Sequence, residues 1–292
     1  MEYFYLVIAT ACSSSLSVIA SFYNRKNIDR QNVSRLYALM VSIGVFCSWA
    51  VIYAFDLSFD PKVLLYSLLY GTCYALAMTG LINALKNGST VLSEYVKSLS
   101  LVFVSVWGFI FWNVSLTVNV AIGLVLIALA LFFLLYKGKN VNVSSKPITL
   151  RWALFCLMLL VGNAGCSIVQ KYQQMAFNGL HGKQLMFFGT MIAVLVCFIF
   201  SIKEDKTNWK MAAKRTGFFP IIAGISSAVL NLLIMILYTT TISTSVIFPV
   251  IAVGGLSLTV LVSIFIFKER LKPIQWIGLV VGVVAVALLN IK

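Results

Sequence analysis

Glu94 and Lys97 stand three residues apart inside the apolar run VLSEYVKSLSLVFVSVW, residues 91–107. An ionised side chain near the centre of a bilayer costs roughly 2.5–3.5 kcal/mol on insertion scales, so an acid and a base at this depth need a reason. Counted from Ser89 at about 1.5 Å per residue, Glu94 lies about 7 Å and Lys97 about 12 Å into a helix. Residues three apart share a helical face, so the two can neutralise each other or line one polar pathway together. Glu94 is the only carboxylate well inside any apolar segment of this sequence. It is therefore the one candidate for proton exchange within a membrane.

Other polar groups lie at comparable depth in other apolar segments. Asn163 and Gln170 fall in GNAGCSIVQK, and Asn231 in a run of Leu and Ile. Amides inside hydrocarbon are costly unless they meet water or partners. Ser14 is the middle residue of CSSSLS, where small hydroxyls serve either close helix packing or substrate contact. Tyr66, Tyr70 and Tyr74 repeat every four residues. Such a stripe is commonly packing, but a mid-span tyrosine hydroxyl needs a partner. Pro249 interrupts a helical pattern and predicts freed backbone groups beside a cavity. The candidate substrate contacts are thus Glu94, Lys97, Tyr70, Tyr74, Ser14, Asn163, Gln170, Asn231 and Pro249.

These side chains need long apolar elements to hold them. The 292 residues are 61% hydrophobic and 10% charged, with a mean hydropathy of +1.00, which predicts an all-α integral membrane protein. Ten apolar segments of about 20 residues, each matching a hydrocarbon core of roughly 30 Å, have centres near Ala11, Ser42, Cys73, Leu101, Leu126, Val161, Ala193, Ala228, Gly255 and Val283. The joins are too short for a nucleotide-binding domain. Shifting the chain by 155 residues lays LTVNVAIGLVLIALALFFLL from Leu116 onto LKPIQWIGLVVGVVAVALLN from Leu271, with IGLV coinciding. This predicts two five-helix repeats, residues 1–136 and 149–292, joined by a loop over 137–148. An odd number of helices per repeat inverts the second against the first. Loops after odd-numbered helices carry 17 Lys and Arg, and the remaining loops and tail carry 4. By the positive-inside rule the basic loops are cytoplasmic and both termini external. The net charge of +14 therefore reports orientation, and no nucleic-acid partner is expected.

The stretch FPVIAVGGLSLTVLVSIFIFKERLKPIQWIGLVVGVVAVALLNI, with the corner Lys268, Glu269, Arg270 and Leu271, resembles the closing helix pair of EamA-type proteins in the drug/metabolite transporter superfamily. The first-half corner, WNVSL, departs from that pattern, with Val114 in place of the acid. The resemblance implies a ten-helix secondary transporter of the cell membrane, bacterial and cytoplasmic, with a central cavity between the halves. An enzyme is not expected, because an intramembrane hydrolase needs paired acids or clustered histidines, and the chain has one deep acid and one peripheral histidine, His181. Nor is a cofactor or metal site. The expected partners are the bilayer, a small-molecule substrate and protons, with monomer and homodimer both open. An acid, a base, amides and tyrosines suit an amino-acid-like zwitterion, exported or exchanged by alternating access. An organic cation, or a lipid-linked substrate flipped across the bilayer, stays as the alternative.

Overall fold

The computed structural model describes residues 2–27, 34–87, 90–112, 117–135, 149–202, 210, 214, 216–240, 242, 244–267 and 273–289. Among them run α1 (Glu2–Lys26), α2 (Ser34–Ala54), α3 (Val63–Asn87), α4 (Thr90–Phe111), α5 (Val118–Leu135), α6 (Leu150–Ala176), α7 (Gly182–Ser201), α8 (Phe219–Tyr238), α9 (Thr244–Phe267) and α10 (Pro273–Leu289). Each centre expected from hydropathy falls inside one of these helices. The connecting loop over 137–148 and the corner at 268–271 lie outside the described residues.

Six of the helices, α1, α2, α3, α6, α7 and α8, are long and apolar enough to cross a membrane. The chain is a helical, multi-pass membrane protein. A helix closes its own backbone hydrogen bonds, which is what hydrocarbon demands of a spanning segment. Side-chain hydroxyls follow the same rule by bonding back along their helix, as Ser42 Oγ does to Ala38 O at 2.8 Å and Ser67 Oγ to Val63 O at 3.0 Å. Large apolar side chains face outward in continuous patches, such as Leu64, Leu65, Leu68 and Leu69 on α3 and Phe198, Ile199 and Phe200 on α7. Patches of this extent suit lipid better than water.

The helices pack mainly across the two halves of the chain. α3 lies between α6 and α7, α1 and α2 lie against α8, α4 packs on α9, and α5 packs on α10. Side-chain pairs fix the directions. Tyr66 meets Phe177 while Ala77 meets Gly162, so α3 and α6 run oppositely. Tyr70 pairs with Asn231 and Tyr74 with Ser227, so α3 also opposes α8. Phe22, near the end of α1, packs on Phe219 at the start of α8, which opposes those two as well. It follows that α1 and α6 run in opposite directions.

Glycines let these backbones touch. A Cβ on Gly44 would stand 2.7 Å from Ile221 O, and one on Gly162 would stand 2.5 Å from Ala77 N. Gly71 and Gly189 abut in the same way between α3 and α7, the counterpart of Gly44 and Gly224 between α2 and α8. Close approach of this kind supplies the dispersion contact that holds helices together where lipid removes the hydrophobic drive. Two apolar cores result. One joins α1, α2, α3, α6, α7 and α8 around Trp49, Tyr70, Leu185 and Met186. The other is built largely on α4 and α9, with Leu101, Val104, Phe248 and Ile251 at its centre.

Candidate functional site

A cavity of about 60 Å³ lies where the two cores meet. Leu16, Tyr70, Tyr74, Met78 and Cys166 wall it from the first core, and Leu101, Ile234 and Ile251 from the second. Its polar lining is Ser13, Lys97, Asn163, Ser167, Ser227 and Asn231, with the tyrosine hydroxyls. Five of the nine residues expected from sequence, Lys97, Tyr70, Tyr74, Asn163 and Asn231, thus line one space.

Most of these polar groups are held by defined partners. Lys97 Nζ donates to Ser13 O at 3.0 Å and to Ser17 Oγ at 2.6 Å, tying α4 to α1. Asn163 Nδ2 donates to Ser100 Oγ at 2.6 Å, and Ser100 Oγ donates to Lys97 O at 2.6 Å. On the opposite wall Tyr70 OH donates to Asn231 Oδ1 at 3.2 Å, and Tyr74 OH lies 3.0 Å from Ser227 Oγ. Asn231 Nδ2 is anchored on Ser227 O at 2.8 Å, so its amide oxygen is aimed at Tyr70. The Tyr70 and Tyr74 rings stack at 6.1 Å with 23° between their planes. A lysine, amides and two aromatic faces therefore converge on one cavity. Such a set can hold a carboxylate, orient a polar group and pack against an apolar side chain.

The remaining expected residues fall elsewhere. Ser14 Oγ bonds to Ala11 O of its own helix at 2.8 Å, and its neighbour Ser13 lines the cavity instead. Gln170 is buried behind the wall, where Nε2 donates to Asn231 O at 3.4 Å and supports that residue without reaching the space. Pro249 is buried in α9, which runs on through it from Thr244 to Phe267; Ile251, two residues on, reaches the cavity. Glu94 is on the backbone of α4, and its side chain lies outside the described residues. Sequence reasoning weighed Ser13 alongside Ser14 and Ser15 and settled on Ser14, and it missed Ser167 and Ser227. Ser167 stands four residues after Asn163, and Ser227 four before Asn231, so the helical repeat from each asparagine was the signal that could have found them.

The two halves contribute unequally at matching places. The 155-residue register relates Ser100 to Gly255. Ser100 accepts the Asn163 amide of α6, and a Cβ on Gly255 would stand 3.2 Å from Ser13 Oγ of α1. The same register relates Lys97 to Ala252, whose carbonyl accepts Ser98 Oγ at 3.3 Å.

No family model matches the chain. A protein of Haemophilus influenzae, described as uncharacterized, is 22% identical over 294 residues, covering 96% of this chain and 95% of that protein. A solved crystal structure, described only as that of a protein, is similar with a TM-score of 0.62 and 12% identity over 97% of this chain and 96% of that one. At this identity the likeness is one of fold.

Proposed function

We propose that the chain is a secondary active transporter, an exporter or exchanger of a small organic metabolite, related to the drug/metabolite transporter superfamily. In this reading all ten helices cross a bacterial cytoplasmic membrane as two inverted five-helix repeats. The opposite directions of α1 and α6 and the exchange of packing partners between the halves support that arrangement. Alternating access then rocks one half against the other around a midplane site.

The observation that carries the reading is the enclosed cavity, lined by Lys97, Tyr70 and Tyr74 from the first half and by Asn163 and Asn231 from the second. At about 60 Å³ it is far smaller than the roughly 300–1,000 Å³ of ordinary ligand pockets. A substrate therefore enters only when the halves part. The chemistry favours an amino-acid-like zwitterion, with its carboxylate on Lys97, its ammonium group or a proton on Glu94, and its side chain on the tyrosine faces. A cationic drug fits less well, because Lys97 would repel it.

The test is reconstitution of the purified protein. Thermal unfolding is measured with amino acids, quaternary amines and sugar phosphates, since a ligand at 100 times its Kd stabilises by about 2.7 kcal/mol. The stabilising class is then offered to proteoliposomes with and without a pH gradient. Saturable uptake that Lys97→Met removes is the expected result. Stabilisation by long-chain lipid substrates alone would support the flippase alternative, and no saturable uptake of any stabilising ligand would overturn transport.

A further inference from the structure

A second pocket, of about 210 Å³, opens at the end of the bundle where α6 and α8 finish. Lys171, Gln174 and Met175 of α6 line it with Tyr238 and Thr239, and the turn at Asn178 and Gly179 forms its rim. That turn holds left-handed backbone, with φ of 50° at Asn178 and 80° at Gly179, and the Gly179 amide donates back to Gln174 O at 2.8 Å. The chain thus folds back sharply after α6 and leaves the Lys171 side of the helix uncovered. Lys171 Nζ sits 4.9 Å from the centroid of the Tyr238 ring. Among the described residues no carboxylate pairs with Lys171, whereas Lys183 at the same end of the bundle holds Asp56 at 3.0 Å. Half-buried over an aromatic floor, a lysine of this kind has its charge directed into the pocket and its natural complement missing.

The pocket is connected to the central cavity by the faces that line both. On α6, Asn163 and Ser167 line the cavity and Lys171 lines the pocket, at intervals of four residues. On α8, Asn231 and Ile234 line the cavity and Tyr238 lines the pocket. One side chain joins the two linings. Tyr238 OH donates to Ser167 O at 3.4 Å, so a pocket residue is fastened to a cavity residue across the α6 and α8 interface. Phe248 meets the same ring at 6.0 Å from α9 and holds it in place.

We propose that this pocket is a separate binding station for the anionic group of a small molecule, with Lys171 as its counter-charge and Tyr238 as the partition that must swing aside to let the molecule pass between the pocket and the central cavity. The idea rests on the reading of that cavity as the substrate site. A molecule bearing a carboxylate passes between Lys97 and Lys171, and on export it meets Lys97 first and Lys171 second. When the halves part, Tyr238 gives up one weak hydrogen bond and its ring clears the way.

The experiment uses the full chain in lipid nanodiscs, where both faces are accessible, and the probes are two thiol reagents of similar size and opposite charge, methanethiosulfonate ethylsulfonate and methanethiosulfonate ethyltrimethylammonium. Modification is read residue by residue by peptide mass spectrometry, so the native cysteines remain. At Met175→Cys the anionic reagent should react about tenfold faster than the cationic one, the scale of a single unit charge at close range. Lys171→Gln should remove that preference and Lys171→Arg should keep it. At Ser227→Cys, in the central cavity, reaction should be slow, and Tyr238→Ala should accelerate it about tenfold or more while Tyr238→Phe, which keeps the ring, changes it by less. Equal rates for the two reagents at position 175, or a preference that survives Lys171→Gln, overturns the anion station. A Ser227→Cys rate unmoved by Tyr238→Ala overturns the partition. None of these rates requires a transported substrate, so they are read separately from uptake: charge selectivity without uptake would leave a binding pocket and sink the transporter reading instead.

Discussion

α4 and α9 occupy corresponding places in the two halves and have been given opposite chemistry. α4 carries Lys97, Ser98 and Ser100, and their polar atoms bind α1, α6 and α9. At the matching positions of α9 stand Ala252 and Gly255, and a proline, Pro249, sits within the same helix. Pro249 lacks an amide hydrogen, so the Ser245 carbonyl one turn earlier loses its ordinary helical partner. The polar function of α4 is carried by side chains and that of α9 by backbone. The two halves need not match chemically: under the transporter reading, one half can fix the substrate while the other yields.

The most severe way to break this comparison is to remove the charge from α4. Lys97→Met takes away the donor to Ser13 O and Ser17 Oγ and the cation that faces the cavity. Hydrogen bonds to charged groups are worth roughly 1.5–3 kcal/mol, which corresponds to a loss of about 10- to 100-fold in substrate affinity. Binding measured on the purified protein checks the magnitude. Glu94→Gln should abolish uptake driven by a pH gradient and spare downhill exchange. Should Glu94→Gln combined with Lys97→Met restore gradient-driven uptake, the pair is a structural salt bridge and the asymmetry between α4 and α9 has no part in transport.

A milder change tests the neutral polar groups of the cavity, one on each wall. Asn163→Ala forfeits the bond to Ser100 Oγ, and Tyr74→Phe forfeits the contact with Ser227 Oγ. Each neutral bond is worth about 0.5–1.5 kcal/mol, so substrate binding should weaken by roughly two- to tenfold with expression intact. If both variants bind normally and melt early, these groups are packing and the site is elsewhere.

Gly255→Ala sharpens the comparison from the α9 side. Its Cβ would meet Ser13 Oγ at 3.2 Å, close enough that the serine must give by a few tenths of an ångström. Gly162→Ala meets backbone instead, at Ala77 N, which cannot give. We expect the first to cost under about 1.5 kcal/mol of stability and the second about 1–3 kcal/mol, read as detergent-solubilised unfolding midpoints. Equal costs would mean that the α1 and α9 contact is as rigid as the α3 and α6 seam.

Much of this arrangement was legible in the sequence, for reasons that differ by residue. Hydropathy located each helix, because long apolar runs bounded by polar joins mark the elements. Lys97, Asn163 and Asn231 declared themselves by cost, since a charge or amide in mid-span needs an explanation. Ser14 misled because three consecutive serines carry no helical phase, and a step of one residue turns the side chain by about 100°. Gln170 had the same cost signature as Asn163, yet it spends its donor on the Asn231 carbonyl. Burial depth can be read from one sequence, but which wall a polar group faces depends on partners far along the chain. Tyr238 went unnoticed for a related reason: a tyrosine at a helix end resembles an ordinary interfacial residue.

The smallest expected effect supplies the control for the pH argument. Lys183 and Asp56 pair at 3.0 Å on the exposed rim, and the lysine beside it, by hydrogen bond and by charge, holds the Asp56 carboxyl below its usual value. A carboxyl lowered in the folded state stabilises above its unfolded pKa of about 3.9 and loses that contribution as pH falls through the folded value. The Asp56 carboxyl is therefore fully ionised between about pH 5 and 8, where a proton gradient would be imposed. Asp56→Asn should leave the pH profile of uptake unchanged and should lower stability at neutral pH by the small amount expected of an exposed pair, the difference vanishing as pH falls through the folded value. Uptake and unfolding midpoints measured across pH 3 to 8 separate the two regions. A profile between pH 5 and 8 that moves with Asp56→Asn would place proton sensitivity at the rim, and the difference between α4 and α9 would then no longer account for coupling.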